Sequence, residues 1–359
     1  MNIKQSLQKQ FNLQVGDDIK SNTLLKFFGK NCVTLILAFF SMGTAIAATF
    51  HTDTIAGVDV EIRKGGKDKY PLVIFSHGFG GCPSGNDEIQ ENLANRGYTV
   101  IAPKHEDCSD KPPEKKGEWH EPEEWTEETY SSRRDEINRI LAVLPYNEKW
   151  AQYIDFENIG CMGYSLGGYT CMGLAGAWPS WSNYQIDAFA LLSPWHRPYS
   201  VERKKPWENP IEDMHGRAIL YMAGSLEIPI TWGIDEDGKI SQNLKNVFDR
   251  TPTHEKYIQI FKGANHFSFT DSHSFSDEEI ESIEKNAEDA GITLDDDWWK
   301  EENHQRFHKD MSYYINSFFN AYLDGNKKKL DRCKSDQLQY VQSGSHFQKY
   351  CQWSTSETE

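Results

Sequence analysis

From Thr49 onward the chain alternates between short apolar runs and longer stretches in which apolar residues recur every three or four positions. The short runs are Val58–Arg63, Pro71–Ser76, Thr99–Pro103, Ile159–Gly163, Ala188–Ser193, Ala218–Ala223 and Tyr257–Phe261. Turn residues bound each of them, as expected of strands buried on both faces. Asp87–Arg96, Arg133–Leu144, Leu166–Ala175 and His304–Leu323 carry helical spacing. Strand and helix in alternation predict an α/β fold, a mostly parallel sheet with helices on both faces. Two stretches interrupt the pattern, Glu106–Tyr130 and Pro194–Gly216, and long excursions of this kind serve as lids or binding loops. Ser276–Glu302 is strongly acidic, and from Asn326 the chain is polar.

Ahead of this pattern lies Val33–Ala48, apolar and uncharged, preceded by Lys20, Lys26 and Lys30 and closed by Ala45-Ile46-Ala47. Basic, apolar and small-residue segments in that order predict a secretory signal peptide over residues 1–47, with an uncleaved N-terminal anchor as the alternative. The run is short of the roughly 20 residues a membrane span needs. The expected organisation is therefore one main domain over 48–325, secreted or periplasmic, and a polar tail over 326–359. With one segment at most able to enter a membrane, a multi-span transporter is excluded.

Hydrophobic residues make up 38% and aromatics 13% of the 359 residues, enough apolar material for a large core. The formal charge of −16 excludes a general nucleic-acid binder, which needs a basic face for phosphates. Seven cysteines are present. Cys32 falls in the leader, and the other six enter a compartment that permits disulfides. None has CxxC spacing, so no zinc site is expected from them. Cys161 in a strand and Cys171 in a helix read as small buried hydrophobes.

Three local motifs carry chemistry. Gly163-Tyr164-Ser165-Leu166-Gly167 is a G-x-S-x-G turn between a strand and a helix, which presents the serine hydroxyl at the sheet edge as a nucleophile. Ser76-His77-Gly78-Phe79-Gly80-Gly81 follows another strand. Its Phe79 N–H, with Gly80 second, is the candidate to pair with the Leu166 N–H as an oxyanion hole. His266, after the last apolar strand, is the candidate base. The acid must lie between them. Glu227 is expected, with Asp235 and Asp237 in reserve.

Together, Val73–Gly81, Ala94–Pro103, Ile159–Thr170 and Gly263–Phe269 resemble the α/β-hydrolase superfamily. The likeness is to secreted serine hydrolases related to platelet-activating-factor acetylhydrolases, dienelactone hydrolase-like proteins, chlorophyllases and cutinase-type polyesterases. The resemblance implies an eight-stranded sheet with loop insertions near the active site and a Ser-His-acid triad without a cofactor or metal. It also makes the strands before Cys82 and Cys108 neighbours, which implies a Cys82–Cys108 disulfide. Cys333 and Cys351 are a second candidate pair. Two departures stand out: dienelactone hydrolases use cysteine where Ser165 stands, and Ser193-Pro194-Trp195 supplies no carboxylate where the acetylhydrolases carry their acid.

The expected activity is hydrolysis of a small-molecule or lipid-like carboxylic ester through an acyl-enzyme. A peptidase or acyltransferase on the same triad, and a non-catalytic binding protein on this scaffold, are the alternatives. Trp178, Trp181, Trp195, Trp207 and Trp232 are candidates to line an apolar pocket.

Overall fold

The computed structural model describes residues 47–66, 68–108, 125–196, 216–226, 255–271, 301–328 and 349–352. Met214, Glu281, Leu330 and residues 247–248, 250–253 and 284–285 are also described. The proposed leader, Trp207, Trp232, Cys333 and most of the tail lie outside them. The described residues all fall in the compact unit Ile46–Glu359.

Among the described residues nine strands form one sheet: β1 (Thr49–Ile55), β2 (Val58–Lys64), β3 (Tyr70–Ser76), β4 (Thr99–Pro103), β5 (Ile154–Tyr164), β6 (Ala188–Leu192), β7 (Ala218–Leu226), β8 (Lys256–Asn265) and β9 (Lys349–Gln352). Their order is β1-β2-β4-β3-β5-β6-β7-β8-β9. β4 through β8 are parallel in this order, and β2 runs antiparallel to β4. The first eight strands have the order and directions of an α/β-hydrolase. β9, from the tail, adds an antiparallel edge to β8.

Alternation along each strand divides the core. Leu72, Ile74, Cys161, Phe189, Leu191, Ile219 and Tyr221 face one apolar layer. That layer is closed by α2 (Ser131–Val143) and α3 (Leu166–Met172). Val73, Phe75, Met162, Ala190, Leu192, Leu220 and Met222 face the other. There α1 (Asp87–Ala94) and α4 (Glu301–Tyr322) close it. Both faces of the central strands are therefore dry, the condition that made their sequences read as unbroken apolar runs.

The apolar pattern missed β1, whose residues TFHTDTI are mostly exposed on the sheet edge. It pairs with β2 through a tight turn at Ala56-Gly57, both at positive φ (53° and 76°), the backbone that two-residue hairpins need. β7 continues three residues past the expected end, to Leu226.

Two disulfides are present among the described residues. Cys82–Cys108 joins the loops after β3 and β4. Cys161–Cys171 joins β5 to α3, which corrects the reading of these two as simple buried hydrophobes. Spacing along the chain hid that pair: the sharp turn at Ser165 folds the helix back onto its own strand and brings the two Cα atoms to 6.0 Å. Cys161 and Cys171 are fully buried, whereas Cys82 and Cys108 are partly exposed. Mild reduction of the folded protein followed by alkylation and peptide mapping should therefore label Cys82 and Cys108 first. Labelling of Cys161 and Cys171 should require unfolding.

Candidate active site

β5 ends at Tyr164 and α3 begins at Leu166, so the chain reverses at a single residue. Ser165 adopts φ 53° and ψ −116°, a conformation that costs on the order of 1–3 kcal/mol outside glycine. The reversal also crowds its neighbours. A Cβ on Gly163 would lie 2.2 Å from the Gly167 carbonyl oxygen, and one on Gly167 would lie 1.9 Å from that of Ser76. Only glycine fits at either place. β6 and the residues after it hold the strained serine from both sides. Its N–H donates to the Leu192 carbonyl at 3.0 Å, and its carbonyl accepts from the Trp195 N–H at 3.0 Å.

His266 opens a helical turn, His266–Phe269, directly after β8. Asn265 caps that turn: its side chain accepts the Ser268 N–H at 3.0 Å, and the Ser268 hydroxyl accepts the Asn265 N–H at 3.1 Å. The Tyr164 hydroxyl donates to the His266 carbonyl at 3.1 Å. So placed, His266 Nε2 lies 2.9 Å from Ser165 Oγ.

The other ring nitrogen meets a residue that sequence reasoning passed over. Ser193 Oγ lies 2.6 Å from His266 Nδ1. Ser193 follows β6 directly, is fully buried, and has φ 44°. Its N–H donates to the Met222 carbonyl at 2.7 Å. A hydroxyl thus stands where the resemblance leads one to look for a carboxylate. Glu227, Asp235 and Asp237 lie outside the described residues. Leu226, the residue before Glu227, is paired with Asn265, the residue before His266.

The Ser76–Gly81 loop is held from beneath by Arg133 of α2. This arginine is only 1% exposed. It donates to the carbonyls of His77 (2.6 Å) and Gly78 (3.2 Å) and to both oxygens of Asp107 (2.8 and 2.7 Å). Asp107 in turn accepts the Gly80 N–H at 3.0 Å. Gly80 is thereby committed elsewhere and falls away as an oxyanion donor. Burial pushes the Asp107 carboxyl up, but the Arg133 charge and these hydrogen bonds outweigh it and hold the group below its ordinary value. Gly78 packs against the serine: a Cβ there would lie 3.5 Å from Ser165 Cβ and 3.0 Å from the Tyr164 ring.

Beneath the loop runs a second Ser-His-Glu chain. Ser76 Oγ lies 2.8 Å from His105 Nε2, and His105 Nδ1 lies 2.5 Å from Glu136 Oε2. All three are buried, at 0, 2 and 4% exposure, so no substrate reaches them. Their role is to brace. The neighbouring His77 gives its Nδ1–H to the Gly78 carbonyl and accepts the His105 N–H at Nε2. Burial, with Arg133 nearby, pushes His77 down to about 4, so the ring is neutral. Burial and the same arginine push His105 down as well.

Aromatic rings flank the site. Trp125 touches Tyr130, Tyr169 and Trp195, with centroids 5.1, 5.1 and 6.2 Å away, and Tyr130 touches Phe79 at 6.1 Å. Trp181 is fully buried and Trp178 nearly so, and both belong to the core behind α3. Trp195 sits beside the Ser165 turn.

The missed residues had one readable signal. Arg133 and Glu136 lie on the same helical stripe as Ile137, Ile140 and Leu144, so both charges fall on a face that must be buried. Nothing local marks Asp107 or Ser193.

Residues 35–138 match the family model of platelet-activating factor acetylhydrolase, isoform II. The matched span takes in the Ser76–Gly81 loop, Asp107, Arg133 and Glu136, and stops short of Ser165. No curated protein matches the chain. Strand order and family match agree on the α/β-hydrolase fold.

Burial, joined by the Glu106 charge, pushes Glu136 up from 4.5 to about 7, against the pull of Arg133 and Arg139. A carboxyl raised on folding binds its proton more tightly in the folded state. Its stabilisation is complete below the unfolded value and is lost as pH rises through about 7. Thermal midpoints of the wild type should therefore fall between pH 5 and 8 more steeply than those of Glu136→Gln. Parallel curves would show that Glu136 titrates normally.

Proposed function

We propose that this chain is an exported serine hydrolase that cleaves carboxylic esters through an acyl-enzyme. The observation that carries this reading is the 2.9 Å contact between Ser165 Oγ, at a strained strand–helix turn, and His266 Nε2. Ser165 Oγ attacks the ester carbonyl carbon while His266 Nε2 takes its proton. The tetrahedral intermediate collapses, and the leaving alkoxide receives that proton from Nε2. Water then enters, gives a proton to His266 and attacks the acyl carbon. Release of Ser165 with its proton returned yields the carboxylic acid.

The developing oxyanion is received by the N–H groups of Phe79 and Leu166. Leu166 is the first residue of α3, where an amide has no acceptor within the helix. In a trans peptide the C=O and N–H point in opposite directions. Since the Gly78 carbonyl is bound to Arg133, the Phe79 N–H faces away from that guanidinium. Ser193 fixes the tautomer by accepting the Nδ1–H of His266. Glu227 supplies the negative charge that stabilises the imidazolium, with Asp235 and Asp237 as reserves. Its chain position, one residue beyond the Leu226–Asn265 pair, supports that assignment.

Two disulfides support a destination in an oxidising compartment. No helix among the described residues is long and apolar enough to cross a membrane. The Phe79–Tyr130–Trp125–Trp195 rings favour an apolar acyl or alcohol group. The name of the matched family makes acetyl and other short acyl esters the first to assay.

Ser165→Ala should lower kcat on short activated esters by roughly 10⁴–10⁶ and abolish labelling by a fluorophosphonate, with the fold intact. Normal turnover by this variant would end the proposal. Glu227→Gln should lower kcat by roughly 10²–10⁴, while Asp235→Asn and Asp237→Asn cost little. Near-normal turnover by Glu227→Gln beside a crippled Asp235→Asn would move the acid. Ser193→Ala should lower kcat about tenfold with KM unchanged, the equivalent of one neutral hydrogen bond.

A further inference from the structure

Beyond the turn that begins with His266, three segments converge on a group of side chains that ester hydrolysis does not use. His304 and His308 stand one helical turn apart on α4, with ring centroids 3.9 Å apart and exposures of only 8 and 1%. Each gives its Nε2–H to a backbone carbonyl of the His266 turn, His304 to Thr270 at 2.7 Å and His308 to Ser268 at 2.9 Å. A carbonyl can only accept, so these bonds place a proton on Nε2 and make Nδ1 the nitrogen that carries the lone pair of a neutral ring.

What His308 Nδ1 meets is negative. Glu88 Oε2, from the first turn of α1, lies 2.9 Å away, and Asp271 Oδ1 lies 4.0 Å away. Asp271 Oδ2 accepts the Glu88 N–H at 3.0 Å. Among the described residues its Oδ1 is buried without a hydrogen-bond partner. A neutral imidazole lone pair beside two carboxylate oxygens is repulsive unless a positive charge lies between them. One ligand atom from each of Glu88, His304 and His308 falls within 4.8 Å of the others.

We propose that Glu88, His304 and His308 bind a divalent first-row transition metal ion, zinc fitting best, with a water as fourth ligand whose proton Asp271 Oδ1 accepts. Two imidazoles and a carboxylate suit zinc, whereas calcium and magnesium call for oxygen ligands throughout. The Nε2–H bonds to backbone carbonyls are the outer support that metal-bound histidines ordinarily have. The water gives the orphaned Asp271 oxygen its partner. The ion ties α1 and α4 to the turn that positions His266. Its role is to hold that turn, and the bond-making chemistry stays at Ser165.

The test uses untagged, chelator-treated protein, titrated with zinc by calorimetry and with cobalt(II) by visible absorption. A Ser165→Ala background keeps the result independent of the esterase reading. One ion should bind per chain, raise the thermal midpoint and resist competition by magnesium or calcium. Glu88→Gln, at a half-exposed position that folding tolerates, and His308→Gln should each weaken binding by at least about tenfold. Absence of saturable binding would overturn the proposal, as would variants that bind as tightly as their parent. A zinc-insensitive thermal midpoint that Glu88→Gln nevertheless lowers would overturn it too, showing a protonated His308 paired with Glu88.

Discussion

A guanidinium ion sits almost sealed from solvent beneath the Ser76–Gly81 loop, and the site above it depends on how that charge is satisfied. Leaving such a charge unpaired in an apolar layer costs several kcal/mol. Arg133 avoids the penalty with one carboxylate and two backbone carbonyls. The carbonyls belong to the loop that faces Ser165, so neutralising the charge and shaping the loop are the same act. The planar fork reaches all three partners at fixed angles, which a lysine ammonium on a flexible stem does not. Asp107 closes the arrangement by holding both Arg133 and the Gly80 N–H. The Cys82–Cys108 bridge closes the same pair of loops covalently.

Backbone strain is spent at two adjacent strand ends. Ser165 follows β5 and Ser193 follows β6, both at positive φ, both buried, and both on His266. Parallel neighbours end on the same edge of a sheet, so side chains far apart in sequence meet there without long loops to carry them. The strain persists because the surroundings over-determine it. Leu192 and Trp195 fix the backbone of Ser165, Met222 fixes that of Ser193, and Cys161–Cys171 fastens α3 to the strand it springs from.

The Ser165 turn, the glycine loop and His266, which the structure brings together, were legible because each is announced locally. Gly163 is required by a contact four residues away, at the Gly167 carbonyl, and an apolar strand announces each loop that follows it. The central strands are visible because both of their faces are dry. β1 and β9, the two edge strands, were not, because neither carries an apolar run. Arg133 and Glu136 were legible only as a contradiction, charges on a helix face that had to be buried. Their partners His77, Gly78, Asp107 and His105 lie 26 to 56 residues away, at distances that only the sheet register resolves. Ser193 was dismissed for a chemical reason, the lack of a carboxylate, when the position itself was the relevant fact.

That position separates two tasks which a single carboxylate usually performs. Orienting an imidazole requires only an acceptor at Nδ1, and a hydroxyl held at 2.6 Å by a buried strand end is sufficient. Stabilising the imidazolium formed during attack requires negative charge, which a neutral hydroxyl lacks. In the proposed mechanism β6 contributes orientation and the residue after β7 contributes charge.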